Sequence, residues 1–322
     1  MLKKNLVLAC IMLCTATLFA RPALLGKTSY KANSIVNLDI NLSSEDLEFV
    51  CASGSEITVE IYCNKKKYAP AVKVSSSTLE IKYQKTFFSF GRRDCSVVVS
   101  IPEGKNFEKA RLLVSSGDIL IEEISAASLT ARSSSGDITI KSGYSPKLTM
   151  SASSGDLLCS GFSSGESTFN TSSGKIRLEE LDTKALFCAA SSGSITAKDL
   201  DCQNFTVTTS SGTIGLELYS TPVKKSYAST SSGTLYISLP NNSSVDIAAT
   251  TSSGSFTNSF TKERLDSHAN YSSSINGGGA RIKLSSSSGS ITVDNNSYIS
   301  YTRYNPDEDN DEDIPVVIFD EK

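Results

Sequence analysis

A Ser-Ser-Gly triplet recurs along most of the chain at nearly constant spacing, and this repeat restricts the possible folds more than any other feature. From Gly117 to Gly212 the interval between successive glycines is always 19 residues, and the later intervals are 21, 21 and 35. The glycines of the series are Gly117, Gly136, Gly155, Gly174, Gly193, Gly212, Gly233, Gly254 and Gly289. A repeat of about 20 residues is typical of solenoids, in which each unit is one coil stacked on the next.

Apolar residues alternate with polar ones on both sides of each glycine. With the glycine counted as 0, positions +2, +4, −5 and −7 are mostly apolar. This alternation predicts short strands with one buried face. A lone unit buries side chains that contribute about 1 to 2 kcal/mol each, while ordering its backbone costs about 1 to 2 kcal/mol per residue, so units must stack in order to fold.

We therefore predict an all-β fold, a parallel β-helix or solenoid with rungs of about 19 residues; an antiparallel sandwich or meander is the alternative. In this interpretation each repeat glycine occupies a turn that needs a positive φ angle. The paired serines are expected to bond through their hydroxyls to the turn backbone and to the serine of the next rung.

The pattern divides the chain into four segments. Residues 1–20 resemble an export signal, with Lys3 and Lys4 before a short apolar run, and Cys10 stands in a sequence similar to a lipoprotein cleavage box. Residues 21–105 are predicted to form irregular early rungs, with degenerate turns at residues 52–54 and 75–77. Residues 106–300 form the regular solenoid, and residues 301–322 an acidic tail.

Composition excludes several functions. The net charge is −3 and the acidic tail accounts for more than all of it, so the body has no basic field suited to nucleic acid. The mature chain has no apolar run long enough for a transmembrane helix. His268 is the single histidine, which excludes a metal site built from several histidines. No residues indicate a catalytic, metal or cofactor site, and we predict a protein that is not an enzyme.

Six cysteines lie beyond the leader, and the sequence alone does not choose among their pairings. We expect Cys159 and Cys188 to be packed inward, because both occupy apolar columns, and Cys202 to be exposed or bridged. The six are Cys51, Cys63, Cys95, Cys159, Cys188 and Cys202.

Asp118, Asp137 and Asp156 follow three successive repeat glycines. Stacked about 4.8 Å apart, they would either share a hard cation such as Ca²⁺ or accept backbone N–H groups in Asx turns, and the second interpretation is favoured. The acidic run at residues 307–313 resembles an EF-hand loop but lacks the glycine and the final carboxylate that this loop needs.

Three other groups of residues are candidate sites. One is an aromatic and basic cluster, a contact surface or a hairpin loop over the core, and another is His268 in a polar excursion at residues 258–279. The third is a threonine column at position −6, similar to a flat ice-binding face but interrupted by Arg111 and Phe187. The cluster is Phe87, Phe88, Phe90, Arg92 and Arg93, and the column is Thr130, Thr149, Thr168 and Thr206.

The chain resembles the bacterial putative-adhesin family, a β-strand-repeat domain of unknown function. The resemblance rests on Ser-Ser-Gly-Asp-Ile at Gly117 and Gly136, on residues 100–104, and on the closing Gly277-Gly278-Gly279 with residues 288–291. It implies a parallel β-helix in an exported or envelope-associated protein. We expect a binding scaffold, periplasmic or on the cell surface, whose partner along the rod is a glycan or a protein. A structural assembly element and a polysaccharide-acting β-helix enzyme are the alternatives.

Overall fold

The protein is a β-solenoid in a computed structural model that describes residues 22–84 and 94–295. This confirms the predicted fold class. Two short 3-10 helices, Ala32–Ser34 and Lys66–Tyr68, interrupt the strands of the described part, which contains no α-helix. No helix in these residues is long and apolar enough to cross a membrane. The predicted export signal and the acidic tail lie outside the described residues.

The described residues form 24 strands. In chain order they are β1 (Leu24–Lys31), β2 (Asn37–Leu42), β3 (Asp46–Ala52), β4 (Glu56–Cys63), β5 (Ala71–Ser75), β6 (Thr78–Lys82), β7 (Cys95–Pro102), β8 (Asn106–Val114), β9 (Ile119–Ile121), β10 (Ile124–Ser133), β11 (Ile138–Ile140), β12 (Gly143–Ser151), β13 (Leu157–Thr171), β14 (Ile176–Ala190), β15 (Ile195–Thr209), β16 (Ile214–Leu218), β17 (Ser226–Thr230), β18 (Leu235–Ser238), β19 (Val245–Thr251), β20 (Phe256–Asn258), β21 (Glu263–Leu265), β22 (Asn270–Ile275), β23 (Ala280–Ser286) and β24 (Ile291–Asp294).

The central rungs pair in parallel with a register of 19 residues. Ile176 of β14, for example, is paired with Leu157 of β13 on one side and with Ile195 of β15 on the other. Residues at +2, +4, +7, +12 and +14 point into one continuous core, as the alternation predicted. Each long strand bends at +6, where Gly161, Glu180 and Asp199 have φ angles of 54°, 52° and 51°. This left-handed corner was not predicted.

The repeat glycines form one stacked column, but the predicted reason for glycine was wrong. None of the nine has a positive φ angle. Instead, a Cβ atom at Gly174 would overlap the carbonyl oxygen of Gly155 in the rung before it, and Gly193 meets Gly174 in the same way. Glycine is therefore required by the close approach of two backbones, not by the turn conformation.

The predicted role of the paired serines was also wrong, because they bond chiefly through their backbones. The amides of Ser134 and Ser135 both donate to the carbonyl oxygen of Ser115 in the preceding rung, at 3.1 and 3.0 Å. The buried hydroxyls belong to position −3. Thr171 Oγ1 accepts the N–H of Gly174 at 3.1 Å and donates to the oxygen of Gly155 at 3.2 Å. The same pair of bonds recurs at Thr209, Thr230, Thr251 and Ser286.

At both ends of the stack the order of the rungs differs from the order of the chain. At the C-terminal end, β23 and β24 lie between β17–β18 on one side and β19–β20 on the other. At the N-terminal end, β2 and β3 lie between β6–β7 and β8–β9. Outside these inserted rungs the sheet continues in antiparallel pairs, β4 with β1 and β7 at one end and β22 with β19 at the other.

The true N-terminal turn of the column is Ser43-Ser44-Glu45, so the predicted degenerate turns were wrong. Residues 75–77 form the turn of the antiparallel β5–β6 hairpin, with φ angles of 47° at Ser76 and 61° at Ser77, and residues 52–54 connect β3 to β4. The backbone of Glu45 takes the glycine position beneath Gly117. Its buried carboxylate accepts the N–H groups of Ser43 and Ser44, at 2.6 and 3.0 Å, where a preceding rung would have supplied a carbonyl oxygen.

Among the described residues one disulfide, Cys63–Cys95, joins β4 to β7. Cys159 and Cys188 are buried, as expected. The expectation for Cys202 was wrong: this residue is 2% exposed, because +9 is an inward column shared with Ser164 and Thr183.

The close approach of the turns predicts a position-specific cost of adding one methyl group. We expect Gly174→Ala to lower the free energy of unfolding by about 3 kcal/mol or more, because the neighbouring backbone must shift. Gly215→Ala is the matched control, since the nearest atom there is Thr196 Cγ2 at 3.9 Å. Urea unfolding measures both variants. Equal stability of the two would contradict the stacking of the glycine backbones.

Candidate functional site

The outward columns at positions −6 and −4 of the parallel rungs form a regular lateral surface, which we call the threonine face. Its −6 column runs through neighbouring strands in register because each rung repeats the same backbone path. In spatial order the column is Thr130, Thr149, Thr168, Phe187, Thr206 and Tyr227. The predicted threonine column therefore exists as one ladder.

Two aromatic side chains rise from the middle of this face. Phe187 is 39% exposed, and Tyr227, partly exposed, lies two rungs further along the stack with Thr206 between them. Rungs about 4.8 Å apart place the two residues roughly 10 Å apart along the axis. The −4 neighbours on these rungs are Ala189 and Ser229, which are small and leave the sides of both rings open.

Charge is confined to the ends of the −6 column. At one end Arg111 Nη1 pairs with Asp39 Oδ1 at 2.7 Å, and Lys82 pairs with the same carboxylate at 3.2 Å. At the other end Tyr227 is followed by Lys283. From Thr130 to Thr206 the column has no carboxylate, imidazole or thiol, so this stretch has no groups for acid–base or nucleophilic chemistry.

A shallow groove continues the threonine face toward its N-terminal end. It has a volume of about 460 Å³ and runs past Leu113, Arg132 and Ser151 of the −4 column, beside the serine turns. Arg132 is exposed there. The face thus offers a long, open surface for an extended ligand.

The aspartates after the repeat glycines form a hydrogen-bonded ladder between rungs. Asp118 Oδ1 accepts the amide of Asp137 at 2.8 Å, and Asp137 Oδ1 accepts the amide of Asp156 at 2.7 Å. Asp46 begins the ladder, and the amide of Lys175 ends it at Asp156. The acceptor role was predicted, but the donors belong to the next rung and not to an Asx turn. Among the described residues no group of three potential ligands is arranged to hold a metal ion.

Desolvation raises the pKa values of Asp46 and Asp137, although the amide that each carboxylate accepts acts in the opposite direction. Repulsion from Asp118 adds to the rise at both residues. The negative charges of Asp46 and Asp137 are therefore unfavourable to folding at neutral pH.

The remaining predicted sites do not come together. His268 is exposed in the β21–β22 connection, with a φ angle of 50°, beside the ion pair of Arg264 and Asp266. The aromatic and basic cluster at residues 87–93 and the acidic run at residues 307–313 lie outside the described residues. Cys51 is exposed at a corner, where desolvation and the nearby Glu123 raise the pKa of its thiol to about 11. A thiol with that pKa is a poor nucleophile at neutral pH.

Comparison with protein families identifies the family to which the chain belongs. The family model described as Toastrack DUF4097 matches residues 35–294, which include every rung described above. The chain belongs to this family. The resemblance found in the sequence is thereby confirmed, and the Toastrack domain spans both ends of the stack as well as its regular centre.

Several solved structures are similar to this Toastrack chain at low identity. A putative lipid binding protein from Parabacteroides distasonis is 16% identical, with a TM-score of 0.48, over 83% of this chain and 96% of the other. A putative adhesin from Bacteroides fragilis is 12% identical, with a TM-score of 0.41, over 84% and 97%. A putative cell adhesion protein from Clostridium sporogenes is 12% identical, with a TM-score of 0.24, over 85% and 100%. No curated protein matches the chain.

The aspartate ladder predicts a pH-dependent effect of substitution. Because the folded pKa of Asp137 is raised, its charge opposes folding above that pKa, and this cost is absent below the usual value of 3.8. We expect Asp137→Asn, which keeps an acceptor oxygen, to be more stable than the wild type at neutral pH and equally stable in acid.

Asp137→Ala is the matched variant, since it leaves the amide of Asp156 without its acceptor. Its free energy of unfolding should fall by about 1 kcal/mol. Chemical denaturation of both variants across the pH range measures these differences. A destabilised Asp137→Asn at neutral pH would show that the charge stabilises the fold, opposite to the direction that the raised pKa requires.

Proposed function

We propose that this Toastrack protein is a non-enzymatic binding scaffold, exported to the bacterial cell envelope or cell surface, which holds an extended glycan chain against its threonine face. The observation that carries the proposal is the pair Phe187 and Tyr227, two rungs apart on one uncharged ladder. Their separation of roughly 10 Å is close to the repeat of an extended β-1,4-linked disaccharide.

The chemistry of the face suits sugars better than proteins. Aromatic rings pack against the apolar faces of sugar rings, while threonine, serine and asparagine side chains offer hydrogen-bond donors and acceptors to hydroxyl groups. An uncharged ladder matches an uncharged polymer. Protein interfaces, by contrast, are usually built around a compact apolar centre, which this open and mainly hydroxyl-bearing ladder lacks.

A role in adhesion is the finer form of the same proposal, since a surface protein that binds glycans can attach a cell to another surface. The sequence resemblance and the predicted export signal at residues 1–20 support this location. Protease treatment of intact cells, with a periplasmic protein as control, checks it: the scaffold should be degraded while the control survives. Full protection of the scaffold would place it inside the envelope.

The glycan proposal predicts the effect of removing the two rings. We expect Phe187→Ala and Tyr227→Ala each to weaken binding of soluble chito- or cello-oligosaccharides about tenfold, which corresponds to about 1.4 kcal/mol, and the double variant to abolish measurable binding. Isothermal titration calorimetry with oligosaccharides of increasing length gives the affinities. Binding should strengthen until the ligand spans both rings.

Tyr219→Ala is the matched control, because Tyr219 is 73% exposed but lies off the threonine face. Unchanged affinity in the double variant would exclude the threonine face as the site. Failure of the wild type to bind any oligosaccharide would overturn the glycan proposal and favour a protein partner or a structural role. Cleavage of the oligosaccharide would instead favour an enzyme.

A further inference from the structure

We infer that the solenoid bears tension along its axis, because the last described rung and, at the N-terminal end, the rung that follows β1 are each locked between two other rungs. In a solenoid stacked in chain order, the last rung is bonded on one side only and can peel away. In this protein the last described rung, β23–β24, is bonded on both sides. Removing it requires the rupture of two sets of backbone bonds at once.

The bonds on the two sides of this rung are closely matched. Toward β17–β18, Ser288 donates its amide to Ser231, and the amide of Leu235 donates to Ser290, at 2.9 Å each. Toward β19–β20, Ile291 donates to Ser255 at 2.9 Å, and Ser253 donates to Ser287 at 3.0 Å. The hydroxyl ladder also continues on both sides, through the bonds of Ser286 Oγ to Gly233 and of Thr251 Oγ1 to Gly289.

We call the rung β23–β24, which is bonded on both sides, the C-terminal lock. The strands β19–β22 lie outside it and are held to the stack through it. In the described part, β19 pairs only with β22 and β23, and β20 pairs only with β21 and β24. If β23–β24 is pulled out, the whole outer unit loses its attachment to the stack. The lock therefore makes the C-terminal end one cooperative mechanical unit instead of a series of separate rungs.

At the N-terminal end a rung is likewise held between two others, but there the held rung precedes both of its neighbours in the chain. The early rung β2–β3 is held between the later strands β6–β7 and β8–β9. The amide of Ser116 donates to Ser43 on one side at 2.7 Å, and the amide of Val36 donates to Ser77 on the other at 2.7 Å. Among the described strands, load from the C-terminal end meets the internal rung β23–β24 first. Load from the N-terminal end meets the internal rung β2–β3 after β1, which pairs only with β4.

Single-molecule optical tweezers with handles at both ends of the full chain test the inference. At up to about 3.6 Å per residue, simultaneous release of the chain after β18 as far as the end of β24 gives one step of roughly 200 Å. We expect this step at a higher force than the events that follow it. Once the lock is open, each remaining rung has one bonded side and should leave in lower-force steps of about 70 Å.

The disulfide identifies which end has opened. Cys63–Cys95 closes a loop with a sequence separation of 32 within the N-terminal unit, so a reductant should lengthen the N-terminal step by about 110 Å and leave the C-terminal step unchanged. Release of β1, which pairs only with β4 among the described strands, is expected as a small early event at low force. Successive steps of about 70 Å after it, with no larger step at higher force before them, would overturn the inference. This result is independent of glycan binding, which calorimetry measures without load.

Discussion

The close contact between stacked glycine backbones is the constraint on which the rest of the structure depends. At Gly155, Gly174 and Gly193 the carbonyl oxygen of one rung occupies the space that a Cβ atom of the next would need. Such contact fixes neighbouring turns in register, and the register then places every column of the rung. The hydroxyl at −3, the aspartate at +1 and the outward threonine at −6 form ladders because the turns are aligned. The first two ladders add side-chain hydrogen bonds between the rungs.

The first and last rungs of a stack have strand edges without a neighbouring rung. Exposed strand edges invite association with other chains. Two features of this protein limit such association. The strands pair antiparallel at both ends of the stack, and near each end one rung is held between two others. Glu45 closes the glycine column with a carboxylate in place of a missing carbonyl oxygen. The sides of the rod are regular and open, as the proposed binding along its length requires.

The fold was predictable from the sequence because the 19-residue period and the apolar alternation are both local patterns. The reason for glycine was not, since a turn with positive φ and a close backbone contact select the same residue. Thr171 and Thr209 at −3 were visible in the sequence, but only the buried pair of bonds at each shows why a hydroxyl recurs there. The order of the end rungs could not be read, because nothing in the repeat around Gly254 or Gly289 specifies which neighbour it stacks on.

The sequence predicted only part of the candidate surface. The threonine column was apparent from spacing, and Phe187 was interpreted as an interruption of it. In the folded protein Phe187 and Tyr227 lie in the same column, and the proposed preference for a glycan rests on their spacing. The sequence could have indicated this, because both residues stand at −6 from a repeat glycine, but Tyr227 was not included in the predicted column.

Disulfide trapping across the C-terminal lock tests the stacking most directly. Ser229 and Thr250 both pair with Ser285, which lies between them. Neighbouring rungs are about 4.8 Å apart and within disulfide reach, whereas residues two rungs apart are not. We expect Ser229→Cys with Ser285→Cys to form a cross-link on mild oxidation, mapped by peptide mass spectrometry, and Ser229→Cys with Thr250→Cys to form none. A cross-link in the second variant and none in the first would mean that the rungs stack in chain order, and would contradict the locked arrangement.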